Sequence, residues 1–311
     1  MNIALDMMGG DYAPLEAVKG IKEFLQASQQ QVQLTLIGDE ALLTPLLSTY
    51  QIPAERIRLV PSSQVIEMNE HPTKALKEKT RSSIAIGFHL LATGGTDAFI
   101  SAGNTGAMLV GALYSIKAIE GISRPAIGAY IPREDGRLAL LIDVGLNADC
   151  KPENLAQFAL LGSLYASRIL NYTDPRVALI NVGAEEGKGN LLCQAAYPLL
   201  KETAVNFVGN AEGRDLLTDM ADVYVCDGFT GNILLKFAES LYDVVRRRGV
   251  QDEYLNRFNF EMYGGVPVLG VNKPVIIGHG ISGPHAFCNM ISIAQKMVEN
   301  NFTTTLQQHF A

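Results

Sequence analysis

The chain has 311 residues, of which 48% are hydrophobic and 18% are charged, and this is enough for a sizeable core in one large α/β domain or two smaller ones. Its formal net charge of −7 argues against a general nucleic-acid surface, so we expect no nucleic-acid partner. No apolar stretch reaches the roughly 18 residues that a membrane-spanning helix needs. The chain opens on a strand-like run without a basic segment before it, which predicts a cytoplasmic protein with no signal peptide.

One local pattern repeats along the chain. A short aliphatic run ends in glycine or a polar residue, and most of these runs lead into helical spacing. In chain order the runs are NIALDMMGGD at 2–11, QLTLIGDE at 33–40, DAFISAGNTGA at 97–107, LALLIDVGLNAD at 138–149, RVALINVGAEEGKG at 176–189, VNFVGNAEG at 205–213, VYVCDGFTGN at 223–232 and VIIGHGIS at 275–282. Near-continuous Val, Ile and Leu is typical of strands buried on both faces of a mainly parallel sheet. The alternation with helices predicts a doubly wound, Rossmann-like α/β fold, expected as a single domain over 1–311.

One segment, from Ile233 to Tyr263, lies outside this pattern. Apolar residues at helical spacing occur on both sides of a break at 249–251: Leu234, Phe237, Leu241 and Val244 before it, and Leu255, Phe258 and Met262 after it. This spacing predicts a helical hairpin or arm over 236–262. Packing of the arm on its own domain and a role at an interface both remain open.

The stretch SAGNTGA at 101–107 separates a strand-like run from a helix-like stretch that extends from Ala107 to Ile119. A plain turn needs one glycine, whereas this loop has two, together with three small polar side chains. A strand, a small polar loop and a helix N-terminus together form a site for an anion. Taken alone, the loop is also compatible with a plain βα turn in which Asn104 or Thr105 caps the helix.

The predicted fold brings several such loops to one place, because ligands of doubly wound sheets bind outside the carboxyl ends of the strands. The expected wall of this pocket consists of Asp6, Asp11, Ser101 to Thr105, Asp143, Asn147, Asp149, Asn181 to Lys188, Asp227 to Asn232, His279 and Ser282. The sequence contains neither a P-loop GxxxxGK[ST] motif nor a GxSxG nucleophile elbow. The four cysteines form no CxxC pair and the five histidines no HxxxH pair, so we expect reduced thiols and no metal.

Charged residues in these loops allow more than one role. Lys188 lies between two glycines, where its compact ammonium suits a phosphate oxygen, although a solvated loop lysine has the same signature. Asp143 and Asn147 could hold a cation, bind a ligand hydroxyl, orient donors or simply make turn hydrogen bonds. Asp227 either caps the next helix or orients a lysine or histidine. His279 lies between two glycines at a predicted strand end, which favours a functional role over a structural one.

Eight stretches, in order along nearly the whole chain, carry a family resemblance. They are LDMMGGD at 5–11, ISAGNTGA at 100–107, IDVGLNADCKPE at 142–153, INVGAEEGKGN at 180–190, GNAEGRDLL at 209–217, CDGFTGNILLK at 226–236, and YGG at 263–265 together with IIGHGIS at 276–282. In these stretches the chain resembles the PlsX family of phosphate acyltransferases, the acyl-[acyl-carrier-protein]:phosphate transacylases. Each stretch is weak by itself, and jointly they are specific.

The resemblance implies that an acyl-carrier-protein thioester and inorganic phosphate give acyl phosphate and free carrier protein. The acyl phosphate would then feed glycerol-3-phosphate acylation in phospholipid synthesis. It also implies a homodimer, no nucleotide cofactor, and a fold similar to phosphotransacetylases and isopropylmalate-type dehydrogenases. Peripheral association with the inner face of the membrane, or with a glycerol-3-phosphate acyltransferase, stays open. Two other functions also stay open: a phosphotransacetylase-like enzyme that uses acyl-coenzyme A, and a non-catalytic metabolite-binding protein.

The chemistry of this reaction assigns roles to the loop residues. Phosphate is itself the nucleophile, so no serine or cysteine nucleophile is required. We expect four catalytic residues, Lys188, Asp227, Asn232 and His279. The expected substrate- and phosphate-binding residues are Asp6, Gly10, Asp11, Ser101, Gly103, Asn104, Thr105, Asp143, Asn147, Asn181, Glu185 and Ser282.

Docking of the carrier protein needs a local basic patch, because carrier proteins are generally acidic and this chain is acidic too. The expected patch is on the arm and consists of Arg246, Arg247, Arg248 and Arg257. A second basic segment, with Lys74, Lys77, Lys79 and Arg81, is the alternative.

Overall fold

The computed structural model of the chain describes residues 1–28 and 32–310. The glutamines Gln29 to Gln31, for which the sequence predicts a solvated helix end, lie outside the described residues. Contacts within the chain divide it into two compact units. The first unit comprises Met1–Ile119 and Glu261–Thr305, and the second comprises Glu120–Phe260 and Leu306–Ala311. The single domain expected over 1–311 stays a prediction.

Each aliphatic run of the repeated pattern forms a strand. The strands are β1 (Asn2–Asp6), β2 (Gln33–Gly38), β3 (Ile57–Pro61), β4 (Ala98–Ser101), β5 (Ala126–Pro132), β6 (Leu138–Ile142), β7 (Arg176–Ile180), β8 (Asn206–Ala211), β9 (Val223–Val225), β10 (Gly265–Leu269) and β11 (Val275–Gly278). The pattern does not predict β3, β5 or β10. β3 is only half-buried and carries an exposed arginine, and β5 and β10 contain glycine and proline, which usually interrupt strands.

In the first unit the strand order is β3-β2-β1-β4-β11-β10. Neighbouring strands are parallel except for β10, which is antiparallel to β11. Ile100 of β4 pairs with Leu5 of β1 and with Ile276 of β11. The loops that follow these three strands therefore start at the same edge of the sheet.

In the second unit the strand order is β5-β6-β9-β7-β8. Only β5 is antiparallel to its neighbour β6. Val225 of β9 pairs with Ile142 of β6 and with Leu179 of β7, so the loops after these strands also share an edge. The mainly parallel sheets and their helices confirm the predicted Rossmann-like α/β class.

Helices connect most of the parallel strands. They are α1 (Leu15–Ala27), α2 (Glu40–Thr49), α3 (Pro72–Glu78), α4 (Ser83–Ala92), α5 (Thr105–Gly111), α6 (Pro152–Arg168), α7 (Leu191–Glu202), α8 (Gly228–Arg247), α9 (Glu253–Asn256), α10 (Pro284–Glu299) and α11 (Phe302–Phe310). The helix predicted from 107 to 119 is shorter, because α5 passes into a π-helical turn at Ala112–Ile116. In the part of the chain that the structure describes, no helix is both long enough and apolar enough to cross a membrane.

The predicted helical hairpin over 236–262 is wrong in its second half. Helix α8 begins at Gly228 and ends at Arg247, and it is followed by the four-residue α9 and a 3₁₀ turn at Phe260–Met262. The residues after α9 are instead tied to the second unit, because the Arg257 guanidinium donates to the carbonyls of Arg133, Gly136 and Arg137. On α8 itself, Phe229 and Phe237 are 63% and 65% exposed.

A buried ion-pair network joins three strands of the second unit. Arg133, directly after β5, is fully buried, and its guanidinium donates to Asp222 Oδ1 at 2.6 Å and pairs with Asp135. Arg176, the first residue of β7, donates to Asp222 Oδ2 at 3.1 Å. Burial by itself would raise the pKa of Asp222, but the hydrogen bonds from Arg176 and Arg133 hold it below its ordinary value. The network therefore fixes β5, β7 and β9 against one another.

We expect Asp222→Asn to lower the free energy of unfolding by about 3 kcal/mol at neutral pH, because the buried Arg133 guanidinium then keeps only the more exposed Asp135 as a charge partner. Since the pKa of Asp222 is depressed in the folded state, the ion pair contributes fully above the ordinary carboxyl pKa of about 4 and is lost as the pH falls below it. The difference in the free energy of unfolding between wild type and variant should therefore become smaller at acidic pH. Denaturant unfolding from pH 7 down to pH 3 measures it.

The matched control is Glu134→Gln, because Glu134 is an exposed carboxylate next to Arg133 in sequence. It should change the stability by less than about 0.5 kcal/mol. Similar losses in the two variants would show that the buried pair has no special part in stability.

Candidate active site

A buried carboxylate organises the loops at the carboxyl ends of β1 and β4. Asp6, the last residue of β1, is 1% exposed. Its carboxylate accepts hydrogen bonds from Ser101 Oγ at 2.7 Å and from Met8 N at 2.9 Å, and Ser101 Oγ in turn accepts one from Gly103 N at 2.9 Å. Burial raises the pKa of Asp6, and these hydrogen bonds oppose that rise. The chain of hydrogen bonds fixes the backbone after both strands.

Close backbone approach completes this part of the site. A Cβ at Gly9 would lie 2.6 Å from Gly103 N, so only glycine fits between the two loops. Gly10 has φ +103, and the next residue, Asp11, donates its N–H to Gly280 O at 2.7 Å. The structure thus brings together the predicted residues of three loops, which follow β1, β4 and β11.

Asn104 acts as a helix cap, one of the two roles that the sequence allows. It is 3% exposed, and its Oδ1 accepts a hydrogen bond from Ala107 N at 2.9 Å. Its Nδ2 lies 2.9–3.2 Å from the carbonyls of Glu67, Met68 and Glu70. The side chain is therefore used in holding the loop. What the loop presents to a ligand is the first turn of α5, whose leading N–H groups have no partner within the helix.

The loop after β11 contains His279 and Ser282. Ser282 N donates to His279 O at 3.0 Å. Ser282 is 2% exposed, and among the described residues its Oγ has no hydrogen-bond partner. The Glu261 carboxylate accepts a hydrogen bond from Gly283 N at 2.8 Å, which places a negative charge at the N-terminus of α10.

Residues 278–283, GHGISG, have the GxGxxG spacing of dinucleotide-binding loops and lie between β11 and α10. Such a site also requires a βαβ unit, but α10 is followed by α11 and not by a strand. In addition, the Glu261 carboxylate lies where a pyrophosphate would bind. The glycine spacing alone is therefore no sign of a nucleotide site, and the absence of a nucleotide cofactor stays a prediction.

In the second unit, two asparagines hold the lysine loop, which we define as residues 181–189. Asn181 Nδ2 donates to Lys188 O at 3.1 Å, and Asn210 Nδ2 donates to Glu185 O at 2.8 Å. Gly189 has φ +95, and a Cβ there would overlap Asn181 Oδ1. Sequence reasoning missed Asn210, whose only signal is a polar residue near the end of a strand.

Lys188 extends from this loop toward solvent. Its side chain is 54% exposed, and its Nζ lies 4.0 Å from Glu185 Oε2, a carboxylate that is itself 72% exposed. The backbone of the loop is fixed while the ammonium keeps its freedom. This arrangement fits both roles that the sequence allows, a phosphate ligand and a solvated lysine.

Asp143, directly after β6, is the counterpart of Asp6 in the second unit. It is fully buried, and its carboxylate accepts hydrogen bonds from Ile127 N at 2.9 Å and Asn147 N at 2.6 Å. Burial raises the pKa of Asp143, and these hydrogen bonds oppose that rise. Of the roles open to Asp143 and Asn147, the structure shows the turn hydrogen bonds. Among residues 1–28 and 32–310, no cluster of three or more His, Cys, Asp or Glu side chains is arranged to hold a metal ion.

Asp227 and Asn232, both expected to be catalytic, make structural hydrogen bonds. Asp227 caps α8, since its carboxylate accepts hydrogen bonds from Thr230 N and Thr230 Oγ1, each at 2.8 Å. Asn232 Nδ2 donates to Val144 O at 3.1 Å, which ties α8 to the loop after β6. Both side chains therefore position the loops of the second unit.

A cavity of about 280 Å³ lies beside these loops. Its lining comes mainly from the ends of β7 and β9 and the starts of α7 and α8: Leu155, Ile180, Asn181, Val182, Asn190, Cys193, Gly213, Cys226, Asp227, Thr230 and Leu234. Burial, and then the charge of Asp227, raise the pKa of the thiols of Cys226 and Cys193. Both thiols are therefore protonated at neutral pH and are poor nucleophiles.

Of the four arginines expected to dock a carrier protein, three lie at the end of α8 and one lies after α9. Arg246 and Arg247 lie in the last turn of α8 and Arg248 is its C-cap residue. Arg257 makes the three carbonyl contacts described above, so its guanidinium is held at the turn between β5 and β6.

Comparison with known proteins assigns the chain to a family. A model of the fatty acid synthesis protein family matches residues 1–254. The chain is 43% identical over 319 residues to the phosphate acyltransferase of Dictyoglomus thermophilum, covering 96% of this chain and 94% of that protein. It is 41% identical over 330 residues to the phosphate acyltransferase of Heliobacterium modesticaldum, covering 99% of this chain and 97% of that protein. The chain belongs to this family, the PlsX family. It is an acyltransferase, and these findings support acyl transfer to phosphate.

The fold of this PlsX-family acyltransferase is shared with solved structures of low sequence identity. The phosphotransacetylase of Streptococcus pyogenes matches with a TM-score of 0.67 and 16% identity, covering 96% of this chain and 94% of that chain. At this identity the likeness concerns the fold alone, and it confirms the predicted similarity to phosphotransacetylases.

We expect Gly189→Ala to deform the lysine loop of the acyltransferase, because alanine is strained at φ +95 and its Cβ would overlap Asn181. The loss of stability should be about 1–3 kcal/mol. Gly187→Ala is the matched control, since nothing lies within 4 Å of the corresponding Cβ position, and it should stay within about 0.5 kcal/mol. Chemical unfolding compares the two, and equal effects would mean that Asn181 does not restrain the loop.

Proposed function

We propose that this acyltransferase transfers a fatty acyl group from an acyl-carrier-protein thioester to inorganic phosphate. The observation that carries the proposal is the loop between β4 and α5. Its polar side chains, Ser101 and Asn104, are used internally, so the loop offers a ligand the free N–H groups of a helix start, a group suited to phosphate. The names of the relatives, phosphate acyltransferase, support phosphate as the acceptor.

The proposed reaction needs no nucleophile from the protein. A phosphate oxygen attacks the thioester carbonyl, the C–S bond breaks, and the sulfur leaves as a thiolate that takes up a proton. The products are acyl phosphate and the free thiol of the carrier protein. Holding phosphate beside the thioester supplies proximity. The protonated state of Cys193 and Cys226 agrees with phosphate as the attacking group.

The contacts within the loops divide the expected residues into two classes. We assign Asp6, Asp143, Asp227 and Asn232 as positioning residues, because their described hydrogen bonds go to neighbouring loops and helix starts. Lys188 is assigned to neutralise phosphate, since its ammonium extends freely from a restrained loop. A thiol of pKa about 8.5 leaves readily, so His279 need act only as a weak acid near the carbonyl.

The wider role follows from the product. Acyl phosphate is an activated acyl donor suited to glycerol-3-phosphate acylation in phospholipid synthesis. We propose that the enzyme acts in the cytoplasm as a homodimer and works without metal or nucleotide.

The decisive experiment is mass-spectrometric detection of acyl phosphate after the purified protein is incubated with acyl-carrier-protein and phosphate. Omitting phosphate should abolish the product. An equal concentration of acyl-coenzyme A should give a much lower rate. A higher rate with acyl-coenzyme A would instead favour a phosphotransacetylase-like enzyme, and no product with either donor would contradict catalysis of this reaction.

We expect Lys188→Met to lower turnover by about a hundredfold to a thousandfold, the usual effect of removing a charged donor aimed at developing charge. The melting temperature should hardly change, because the side chain is 54% exposed. Lys188→Arg should fail to restore the rate, since a forked guanidinium does not replace a point charge in a tight loop. Steady-state kinetics in both substrates measures these effects.

Lys201→Met is the matched control. Lys201 is also 54% exposed and pairs with a glutamate of the lysine loop, Glu186, at 3.4 Å. Near-wild-type turnover is expected for this variant. If Lys188→Met also retained it, Lys188 would be a solvated loop residue.

A further inference from the structure

A groove lies on the outer helices of the first unit. It has a volume of about 580 Å³ and is formed by α3, α4, the end of α5 and the π-helical turn. Its apolar lining includes Leu76, Phe88 and Val110, and Tyr114 lies at its rim with 75% of its surface exposed. A pocket of this size with an exposed aromatic side chain has the composition of a binding surface.

The groove is bordered by positive charge in an otherwise acidic chain. Over residues 71–92 the sequence has four Lys or Arg residues and one Glu, a local balance of 4 − 1 = +3, against −7 for the whole chain. Lys77 lines the groove, and Lys74 and Arg81 are exposed nearby on the same segment. Lys79 is paired with Glu70 at 2.6 Å. For Lys74, Lys77 and Arg81 the described residues show no ion-pair partner.

The π-helical turn shapes one wall of the groove. Such turns are rare, and they occur frequently at functional sites. Tyr114 and Ser115, within this turn, both line the groove. Gly111, just before it, is a glycine because a Cβ would overlap the Phe88 ring. This wall of the groove is therefore formed by an irregular turn of the backbone, which leaves the Tyr114 side chain exposed.

The groove and the phosphate loop share their helices. Val110 lines the groove and follows Thr105, the first residue of α5, by five positions, or about 8 Å along the helix. At the other end of α5, Gly106 lies against Pro72, the first residue of α3. A partner in the groove would therefore lie within about 10 Å of the helix start to which we assign phosphate.

The arm is a poorer match for an acidic partner. Residues 236–257 include five Lys or Arg residues and four Asp or Glu residues, a balance of 5 − 4 = +1. One of these cations, Arg257, is held by backbone carbonyls, and another, Lys236, pairs with Glu239 at 2.7 Å.

We propose that the groove between α3, α4 and the π-helical turn docks an acidic helix of the acyl-carrier-protein, with the cations of α3 at its rim and Tyr114 as its apolar contact. Complementary charge steers association, and an amphipathic helix buries its apolar side in a groove. The inference rests on the proposed function, because it takes the carrier protein as the acyl donor.

The test uses the full-length protein and measures binding separately from catalysis. Lys74→Glu/Lys77→Glu should weaken binding of fluorescently labelled acyl-carrier-protein by about tenfold or more at low salt, and added salt should reduce the difference between wild type and variant. Tyr114→Ser should weaken binding at all salt concentrations. In both variants the KM for the carrier thioester should rise, while the KM for phosphate and kcat stay unchanged.

The matched control is Lys22→Glu/Lys296→Glu, which makes the same charge change on α1 and α10, helices that contribute nothing to the lining of the groove. Its carrier affinity should stay within about twofold of wild type. An equal loss in this variant would mean that only the net charge matters, and would overturn the proposal.

Three further results would also overturn it. One is that both groove variants bind the carrier protein as tightly as wild type, whereas Arg246→Glu/Arg247→Glu binds it more weakly. Another is a changed molecular mass of Tyr114→Ser by light scattering, which would show a second copy in the groove. The third is loss of binding to phosphatidylglycerol vesicles in the groove variants, with carrier affinity intact. If the wild-type protein bound carrier protein through the groove but made no acyl phosphate, the proposed function would be refuted and the docking proposal would stand.

Discussion

Two buried carboxylates, one in each unit, determine the shape of the loops around them. Asp6 ends β1 and Asp143 follows β6, and both are almost completely removed from solvent. A buried carboxylate is costly unless donors surround it, and here the donors are N–H and O–H groups of the adjacent loops, such as Ser101 Oγ and Asn147 N. The hydrogen bonds that each carboxylate accepts therefore fix the conformation of the loop next to it. Gly9 completes one of these arrangements by admitting the neighbouring backbone.

This use of polar side chains explains how a site rich in Asp, Asn and Ser can act on phosphate. In the first unit these side chains serve the loops, and backbone N–H groups at the start of α5 remain for a ligand. Such an arrangement is preorganised, because the donors are held in place before the substrate arrives. It also suits a reaction in which phosphate attacks, since the buried thiols of Cys193 and Cys226 stay protonated.

Charge is distributed unevenly over the molecule, and this matters for any acidic partner. A net charge of −7 repels such a partner at long range. A local excess of cations on 71–92 offsets that repulsion where the groove begins. The five cations on the arm have less effect, because four acids are interspersed among them and Arg257 belongs to the packing of the second unit.

By itself the sequence determined the fold class, since strands buried on both faces require continuous aliphatic runs that are visible without any partner. It also determined which loops carry the polar residues, because the loops follow those runs directly. Only the tertiary structure decided which contacts these residues make. Asp227 and Asn232 make hydrogen bonds within the loops, and Asn210 had only a weak local signal. The predicted hairpin ends early, and Arg257 donates there to carbonyls 120 or more residues away. Periodicity along a chain reports which face is buried, whereas a hydrogen-bond partner distant in sequence leaves no mark on the local pattern.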